Sequence, residues 1–165
     1  MAHVEPLGFE ELQEFEPLFN VVEQRMGFDE LKQLIAFVAS RAAGCTYCQA
    51  HTSSQAARAG ADPEKIEAAF EFESSPLFTE RERAALRLAR DGALVPSATT
   101  EAHFEELRRH FSEEEIVDVV AVIALFGFLN RFNDTMATPL EQEPLTFAKE
   151  HLAGRGWNVG KHERT

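Results

Sequence analysis

Apolar residues recur at helical spacing along almost the whole chain of 165 residues, and this feature limits the possible fold more than any other. Leu31, Leu34, Ile35, Val38 and Ala42, for example, follow the steps of three and four residues that mark one face of a helix. No segment has the alternating Val, Ile and Thr pattern of a half-buried strand. The sequence therefore predicts an all-α fold.

Start and stop signals divide this pattern into eight segments, consistent with a fold of about seven helices. Thr79 with Glu82, and Ser112 with Glu115, match the capping box of a helix start, and Pro63 fits a first helical position. The signals predict helical segments at about 9–26, 31–42, 45–58, 64–73, from 79 onward, 100–111, from 112 to near Pro139, and 145–152. The helix that Ser112 opens is the most apolar, so we expect it to be the buried centre. We expect the segment after Gly154 to be extended or loosely packed, and residues 161–164 to form a solvated tail.

Length and charge limit the class of protein. A chain of 165 residues fits a single domain, 1–165, without a need for disulfide staples. The formal net charge of −12 makes nucleic acid or an anionic membrane surface an improbable partner. The first residues lack a signal peptide, and no apolar run approaches a membrane span, so we expect a cytoplasmic protein.

The segment 44–52 contains both cysteines, Cys45 and Cys48, with His51 close behind. A helix that begins near Cys45 would set the thiols one turn apart, where free amides and the helix dipole favour a thiolate. This spacing predicts a redox-active pair. We expect Cys45 to be the more accessible thiol and His51 to accept the proton of Cys48.

Two other interpretations of the same residues stay open. His51 can simply pack or cap, as a lone histidine usually does. Cys45, Cys48 and His51 can also be zinc ligands, but a tetrahedral site needs a fourth ligand, and the other histidines are scattered along the chain. We therefore predict no metal and no cofactor.

In these residues and their flanking segments, the chain resembles the alkylhydroperoxidase D and carboxymuconolactone decarboxylase family, in particular its peroxidase-related branch. The resemblance covers most of the chain. Three segments carry it: 30–35 with SRAAGCTYCQAHT at 40–52, SEEEIV at 112–117, and FLNRFND at 128–134.

The resemblance implies an all-helical fold that assembles into dimers, trimers or hexamers, and an enzyme that reduces hydroperoxides. Cys48 would attack the hydroperoxide and become a sulfenic acid. Cys45 would donate a proton and then close the disulfide. A dithiol partner, such as a lipoyl or thioredoxin-like protein, would reopen it.

One departure from the family's pattern affects the proton relay. The family's relay glutamate, twelve residues before the first cysteine, corresponds here to Gln33, and an amide cannot shuttle protons as a carboxylate does. Glu30, about one turn away, is a possible substitute. Asn130 and Arg131 either line the site or an interface, or they mark a helix end that returns to solvent.

The departure at Gln33 leaves other functions open. One alternative is a redox-sensing or scaffold protein of the same fold without peroxidase activity. A lactone decarboxylase is a less favoured alternative, because that branch typically lacks the cysteine pair.

Overall fold

The computed structural model describes residues 30–163, which form seven α-helices and no strand. The helices are α1 Glu30–Ala43, α2 Thr46–Arg58, α3 Pro63–Ala68, α4 Glu80–Gly92, α5 Glu101–Leu107, α6 Glu113–Met136 and α7 Gln142–His151. Short 3₁₀ turns cover Ala69–Glu71, Ala153–Arg155 and Gly160–His162. The all-α prediction is confirmed. The predicted helical region 9–26 lies outside the described residues.

The helix starts follow the capping signals in the sequence. At α4, Thr79 Oγ1 accepts from the Glu82 amide at 3.2 Å, and Glu82 accepts from the Thr79 amide at 2.8 Å. Ser112 and Glu115 form the same reciprocal pair at α6. Each box satisfies two amides that a helix start leaves without intrahelical partners.

Two helices end earlier than predicted. The α-helical part of α3 ends at Ala68 and continues as a 3₁₀ turn through Glu71. Helix α5 ends at Leu107 rather than near Phe111. The hydrogen bond that follows spans three residues instead of four, with the His110 amide donating to the Leu107 carbonyl at 2.9 Å. The chain must leave the helix here because Ser112 adopts the extended conformation of an N-cap.

Helix α1, rather than α6, is the buried centre of the described fold. It packs against α2, α4 and α6, and its residues 34–37 are fully buried. The prediction for α6 is wrong because only one side of that helix is covered. Val119 and Val122 are buried there, whereas Val117 on the other side is 58% exposed.

The C-terminal segment is tightly packed, which corrects the expectation of a loose, solvated end. Trp157 and His162 are 6% and 1% exposed. Trp157 Nε1 donates to the Thr46 carbonyl at 3.0 Å, and the Leu140 amide donates to the His162 carbonyl at 2.8 Å. The segment therefore covers the first turn of α2. Of the helices in residues 30–163, none has the length and apolar character that a bilayer crossing requires.

Candidate active site

The turn between α1 and α2 sets the geometry of the thiol pair. Gly44 has a φ of +80°, a left-handed conformation that glycine adopts without the steric cost of a side chain. Cys45 follows in an extended conformation as the N-cap of α2, and its amide donates to the Ser40 carbonyl at 3.2 Å. The predicted helix start near Cys45 is thus confirmed.

The two thiols are coupled through this cap. Both cysteines are free thiols, and the Cys48 amide donates to Cys45 Sγ at 3.3 Å. The hydrogen bond with the Cys48 side chain lowers the pKa of Cys45, with a further contribution from the Cys48 amide, although burial opposes the shift. The hydrogen bond with Cys45 raises the pKa of Cys48, and burial adds to the rise. The hydrogen bond between the thiols therefore favours negative charge on Cys45 over negative charge on Cys48.

Neither thiol is open to solvent. Cys45 is 1% exposed and Cys48 is 3% exposed, so the expectation that Cys45 is the more accessible thiol is wrong. The C-terminal segment packs over the residue directly after Cys45: Trp157 donates to the Thr46 carbonyl, and Thr46 Oγ1 donates to the Val159 carbonyl at 3.4 Å. A substrate must reach the thiols through a cleft or a movement of this cover.

The end of α6 contributes polar groups beside Cys48. Buried Asn133 lies with Nδ2 3.8 Å from Cys48 Sγ, and the same amide donates to the Leu129 carbonyl at 3.0 Å. One residue further on, the negative charge of the Asp134 carboxylate acts to raise the pKa of each thiol. At Cys45 this effect opposes the net lowering, and at Cys48 it adds to the rise. Neither residue was predicted from sequence as a site residue, although both lie in the FLNRFND segment.

His51 lies one turn beyond Cys48 and is bound to a carboxylate. Its Nε2 donates to Glu141 Oε2 at 2.7 Å, and Tyr47 OH donates to Glu141 Oε1 at 3.1 Å. The Tyr47 and His51 ring centroids are 4.5 Å apart. Burial opposes ionisation of Glu141, but these hydrogen bonds bring the pKa of its carboxyl below the ordinary value. Sequence reasoning missed Glu141 because 90 residues separate it from His51.

A second carboxylate at the start of α7, that of Glu143, makes further contacts along α2. Ser54 Oγ donates to Glu143 Oε1 at 2.8 Å, and Arg58 pairs with Glu143 at 3.0 Å. Tyr47, His51, Ser54 and Arg58 recur at three or four residues, so they form one face of the helix. The start of α7 therefore fixes the face of α2 that carries His51.

Glu30, the possible substitute at the family's relay position, lies apart from this cluster. Glu30 begins α1, a 14-residue helix about 20 Å long, and the thiol turn follows its other end. The Glu30 carboxylate pairs with Lys65 Nζ at 2.7 Å. The relay role suggested for Glu30 is therefore not supported. Gln33 is buried, and its Oε1 has no hydrogen-bond partner among the described residues.

A second histidine, His162, also lies close to Tyr47. His162 is 1% exposed, and its Nδ1 donates to the Thr138 carbonyl at 2.9 Å. Its ring centroid is 5.6 Å from that of Tyr47, and its Nε2 lies 3.8 Å from Asp134 Oδ1. Lys161 also pairs with Asp134 at 2.9 Å. In residues 30–163, no group of three or more His, Cys, Asp or Glu side chains is arranged to hold a metal ion.

A cleft of about 570 Å³ opens between the end of α4, the segment 93–99 and α6. Ala42 and Ala43 line it directly before the thiol turn, and Asn130, Arg131 and Asp134 line it from α6. Asn130 and Arg131, which the sequence singled out, thus both face this cleft. Asn130 is buried and Arg131 is exposed.

Known proteins match the region that contains the thiols and the overall fold. The model of the carboxymuconolactone decarboxylase family matches residues 29–91. The crystal structure of the debrominase Bmp8 is 34% identical in sequence, with a TM-score of 0.74, and the match covers 91% of this chain and 98% of Bmp8. A cysteine-to-alanine variant of Bmp8 has been crystallised with 2,3,4-tribromopyrrole. The chain belongs to the carboxymuconolactone decarboxylase family, with an AhpD-like helical fold.

Two further relatives carry less functional information. An Agrobacterium tumefaciens protein of unknown function, suggested to be an antioxidant defence protein AhpD, is 26% identical with a TM-score of 0.74, over 82% of this chain and 93% of its own. The uncharacterized protein YnjA of Escherichia coli K12 is 30% identical over 97 residues, which are 59% of this chain. The match spans about half, 53%, of the length of YnjA.

Proposed function

We propose that this protein is a cytoplasmic thiol-dependent hydroperoxide reductase that cycles through a Cys45–Cys48 disulfide. The observation that carries the proposal is the adjacent thiol pair, in which Cys45 Sγ accepts the Cys48 amide at 3.3 Å and the hydrogen bond between the thiols lowers the pKa of Cys45 and raises that of Cys48. Such a pair can deliver two electrons to an electrophile and close a disulfide without a cofactor.

In the first step, Cys48 passes its proton to the Cys45 thiolate and becomes the nucleophile. Cys48 Sγ attacks the terminal oxygen of the hydroperoxide, the O–O bond breaks, and its electron pair leaves on the alkoxide. Cys45 returns the proton to the alkoxide, which departs as the alcohol, while Cys48 is left as a sulfenic acid. The lowered pKa of Cys45 suits it to give this proton to the alkoxide, which is a far stronger base than a thiolate.

In the second step, the Cys45 thiolate attacks the sulfenic sulfur of Cys48. The disulfide forms and hydroxide leaves, taking a proton to become water. We assign this proton delivery to His51, whose ring is held by Glu141 at 2.7 Å. A dithiol partner, such as a lipoyl or thioredoxin-like protein, then reduces the disulfide and becomes oxidised itself.

A second candidate function is reductive dehalogenation, favoured by the 34% identity to the debrominase Bmp8 over 91% of this chain. The same pair could take a bromine atom from an organic bromide. A Cys48 S–Br bond would form as the C–Br bond breaks, and the carbanion would take the Cys45 proton. Cys45 would then displace bromide and close the same disulfide. The two candidates differ in the electrophile and share the thiol chemistry.

The deciding experiment measures catalytic turnover with each electrophile. The reduced protein is given cumene hydroperoxide and dithiothreitol, beside Cys48→Ser and Cys45→Ser variants, and loss of hydroperoxide is followed. A parallel reaction with 2,3,4-tribromopyrrole follows bromide release. The proposal expects multiple turnovers with the hydroperoxide that vanish in Cys48→Ser. Bromide release alone would favour the dehalogenase, and stoichiometric oxidation without turnover would favour the redox-sensing alternative.

A further inference from the structure

The two residues between the cysteines both contact the C-terminal segment. Trp157 Nε1 donates to the Thr46 carbonyl at 3.0 Å, and the Thr46 hydroxyl donates to the Val159 carbonyl at 3.4 Å. The next residue, Tyr47, has its ring centroid 5.6 Å from that of His162. The whole turn that the thiols enclose is therefore in contact with a part of the chain more than 100 residues away.

Residues 157–162 of the C-terminal segment are held mainly at their two ends. Trp157 and His162 are 6% and 1% exposed, whereas three of the four residues between them are exposed. His162 accepts from the Leu140 amide at 2.8 Å and donates through Nδ1 to the Thr138 carbonyl at 2.9 Å. A segment that is held by so few contacts can open locally while the rest of the fold stays intact.

Asp134 links the same segment to the charge of the thiols. Its carboxylate acts to raise the pKa of Cys45 and of Cys48, because a negative charge disfavours a thiolate nearby. Lys161 of the C-terminal segment pairs with this carboxylate at 2.9 Å and offsets its charge. The bound segment therefore favours the thiolate form of the reduced pair, and a disulfide, which carries no charge, does not gain from it.

Oxidation of the pair changes the turn that the segment contacts. In the dithiol, Cys45 Sγ caps α2 by accepting the Cys48 amide at 3.3 Å. When the disulfide forms, two S–H bonds break, one S–S bond forms, and two electrons and two protons pass to the oxidant. The Cys45 sulfur must turn from the amide toward Cys48 Sγ, and it can no longer be a thiolate, which accepts hydrogen bonds more strongly than an uncharged sulfur. Thr46 and Tyr47 lie between the two sulfurs and must adjust with them.

We propose that residues 157–162 form a redox-sensitive strap, which is bound to the thiol turn while the pair is a dithiol and is released by the Cys45–Cys48 disulfide. The inference rests on the disulfide of the proposed function, although diamide can form that disulfide without a hydroperoxide. Both sulfurs are buried in the reduced protein, and a dithiol reductant must reach one of them to reopen the disulfide. Release in the oxidised state opens the turn for this step.

The first experiment compares the strap in the two redox states. Hydrogen exchange followed by mass spectrometry is measured on the full chain as the dithiol and after oxidation with diamide, whose N=N bond takes up the two electrons and two protons. We expect residues 157–162 to exchange about tenfold faster or more in the oxidised protein, while α4 keeps its rate. In the Cys45→Ser/Cys48→Ser control, diamide should change neither rate. Equal exchange of residues 157–162 in both states, or failure of diamide to form the disulfide, would overturn the inference.

The second experiment uses the reciprocity of coupled equilibria: if the disulfide releases the strap, contacts that hold the strap must favour the dithiol. Trp157→Phe removes the Nε1 donor and keeps an aromatic ring. In a glutathione redox buffer, the equilibrium should shift toward the disulfide by about fivefold, measured by thiol alkylation and mass spectrometry. Phe111→Leu, at a side chain 7% exposed that lies against Arg81, controls for lost packing and should stay within about twofold of the wild type. An unchanged equilibrium in Trp157→Phe would contradict the strap.

The strap and the proposed function can fail separately in these measurements. Hydroperoxide turnover with equal exchange of residues 157–162 in both redox states would leave the thiol cycle standing and remove the strap. Release by diamide without hydroperoxide turnover would support the strap on a redox-active pair that is not a peroxidase.

Discussion

At the scale of single residues, the helix cap decides which sulfur carries the charge. Cys45 occupies the N-cap and accepts the Cys48 amide, whereas Cys48 lies within the first turn of α2. The lowered pKa of Cys45 favours its thiolate over that of Cys48, so Cys45 is suited to act as the second, resolving nucleophile that closes the disulfide. Cys48, predicted from the family resemblance to attack the substrate, needs Cys45 to remove its proton.

Titration of the thiols tests this division of charge. Since the pKa of Cys45 is lowered, its thiolate should persist at pH values below the ordinary cysteine pKa of about 8.5. Cys48→Ala removes the hydrogen-bond donor, so the pKa of Cys45 should rise. Cys45→Ser removes the neighbouring charge, so the pKa of Cys48 should fall, although burial keeps it above the ordinary value. The ultraviolet absorbance of the thiolate, followed against pH, measures these pKa values in the wild-type protein and in both variants. A fall in the pKa of Cys45 in Cys48→Ala, or a rise in the pKa of Cys48 in Cys45→Ser, would contradict this division of charge.

His51 can be tested against a histidine in a similar environment. His51→Gln should lower kcat/KM with cumene hydroperoxide by about a hundredfold if the imidazole delivers a proton in the cycle. His110→Gln is the matched control, because His110 is 27% exposed, against 28% for His51, and pairs with Glu106. Equal activities of the two variants would leave His51 with a packing role only.

At the scale of the elements, α2 is held from two sides. The start of α7 binds one face through Glu141 and Glu143, and the C-terminal segment binds its first turn through Trp157. These contacts bury the thiols and orient His51. The site therefore depends on segments that lie about 90 to 110 residues away in the sequence.

Removing the tryptophan should loosen this cover. Trp157→Ala deletes a side chain that is 6% exposed, and we expect the free energy of unfolding to fall by about 3–5 kcal/mol. Chemical denaturation measures the loss, and the reaction rate of the thiols with a disulfide reagent under native conditions should rise. Leu77→Ala, at a side chain 40% exposed, should change neither quantity appreciably. Unchanged thiol reactivity in Trp157→Ala would mean that another part of the chain covers the cysteines.

The sequence predicted local structure better than long-range contacts, and the reason is physical. Thr79 and Ser112 predict helix starts because both partners of a capping box lie within four residues of each other. Cys45 and Cys48 are visible for the same reason. Glu141 and His162 reach the site only through tertiary packing, so no spacing rule could find them. The failed expectation for Cys45 exposure has the same origin, since burial depends on tertiary packing and not on spacing along the chain.

At the scale of the whole molecule, one side of α6 exposes apolar residues. Val117, Val120 and Phe128 are 58%, 41% and 36% exposed. Exposed apolar faces of this kind are typical of interaction surfaces. They agree with the expectation, drawn from the family resemblance, that copies of this chain assemble into an oligomer.

Light scattering after size exclusion tests this expectation. The wild-type protein should elute as a dimer, trimer or hexamer, and Val117→Glu should shift it toward the monomer, because a buried unpaired charge is costly at an interface. Leu77→Glu, at an exposed apolar residue outside α6, is the matched control. A monomeric wild-type protein, or assembly unaffected by Val117→Glu, would contradict a contact through this face.

The most direct test of the thiol cycle is mass spectrometry of the reduced protein after one equivalent of cumene hydroperoxide. The account predicts a loss of two hydrogens, located by peptide mapping to a Cys45–Cys48 disulfide. In Cys45→Ser, it predicts a gain of one oxygen on Cys48 that dimedone traps as a sulfenic acid. Both products follow from attack by Cys48 and resolution by Cys45. Oxidation of other residues with the pair left reduced, or a sulfenic acid trapped on Cys45 in Cys48→Ser at the wild-type rate, would contradict the account.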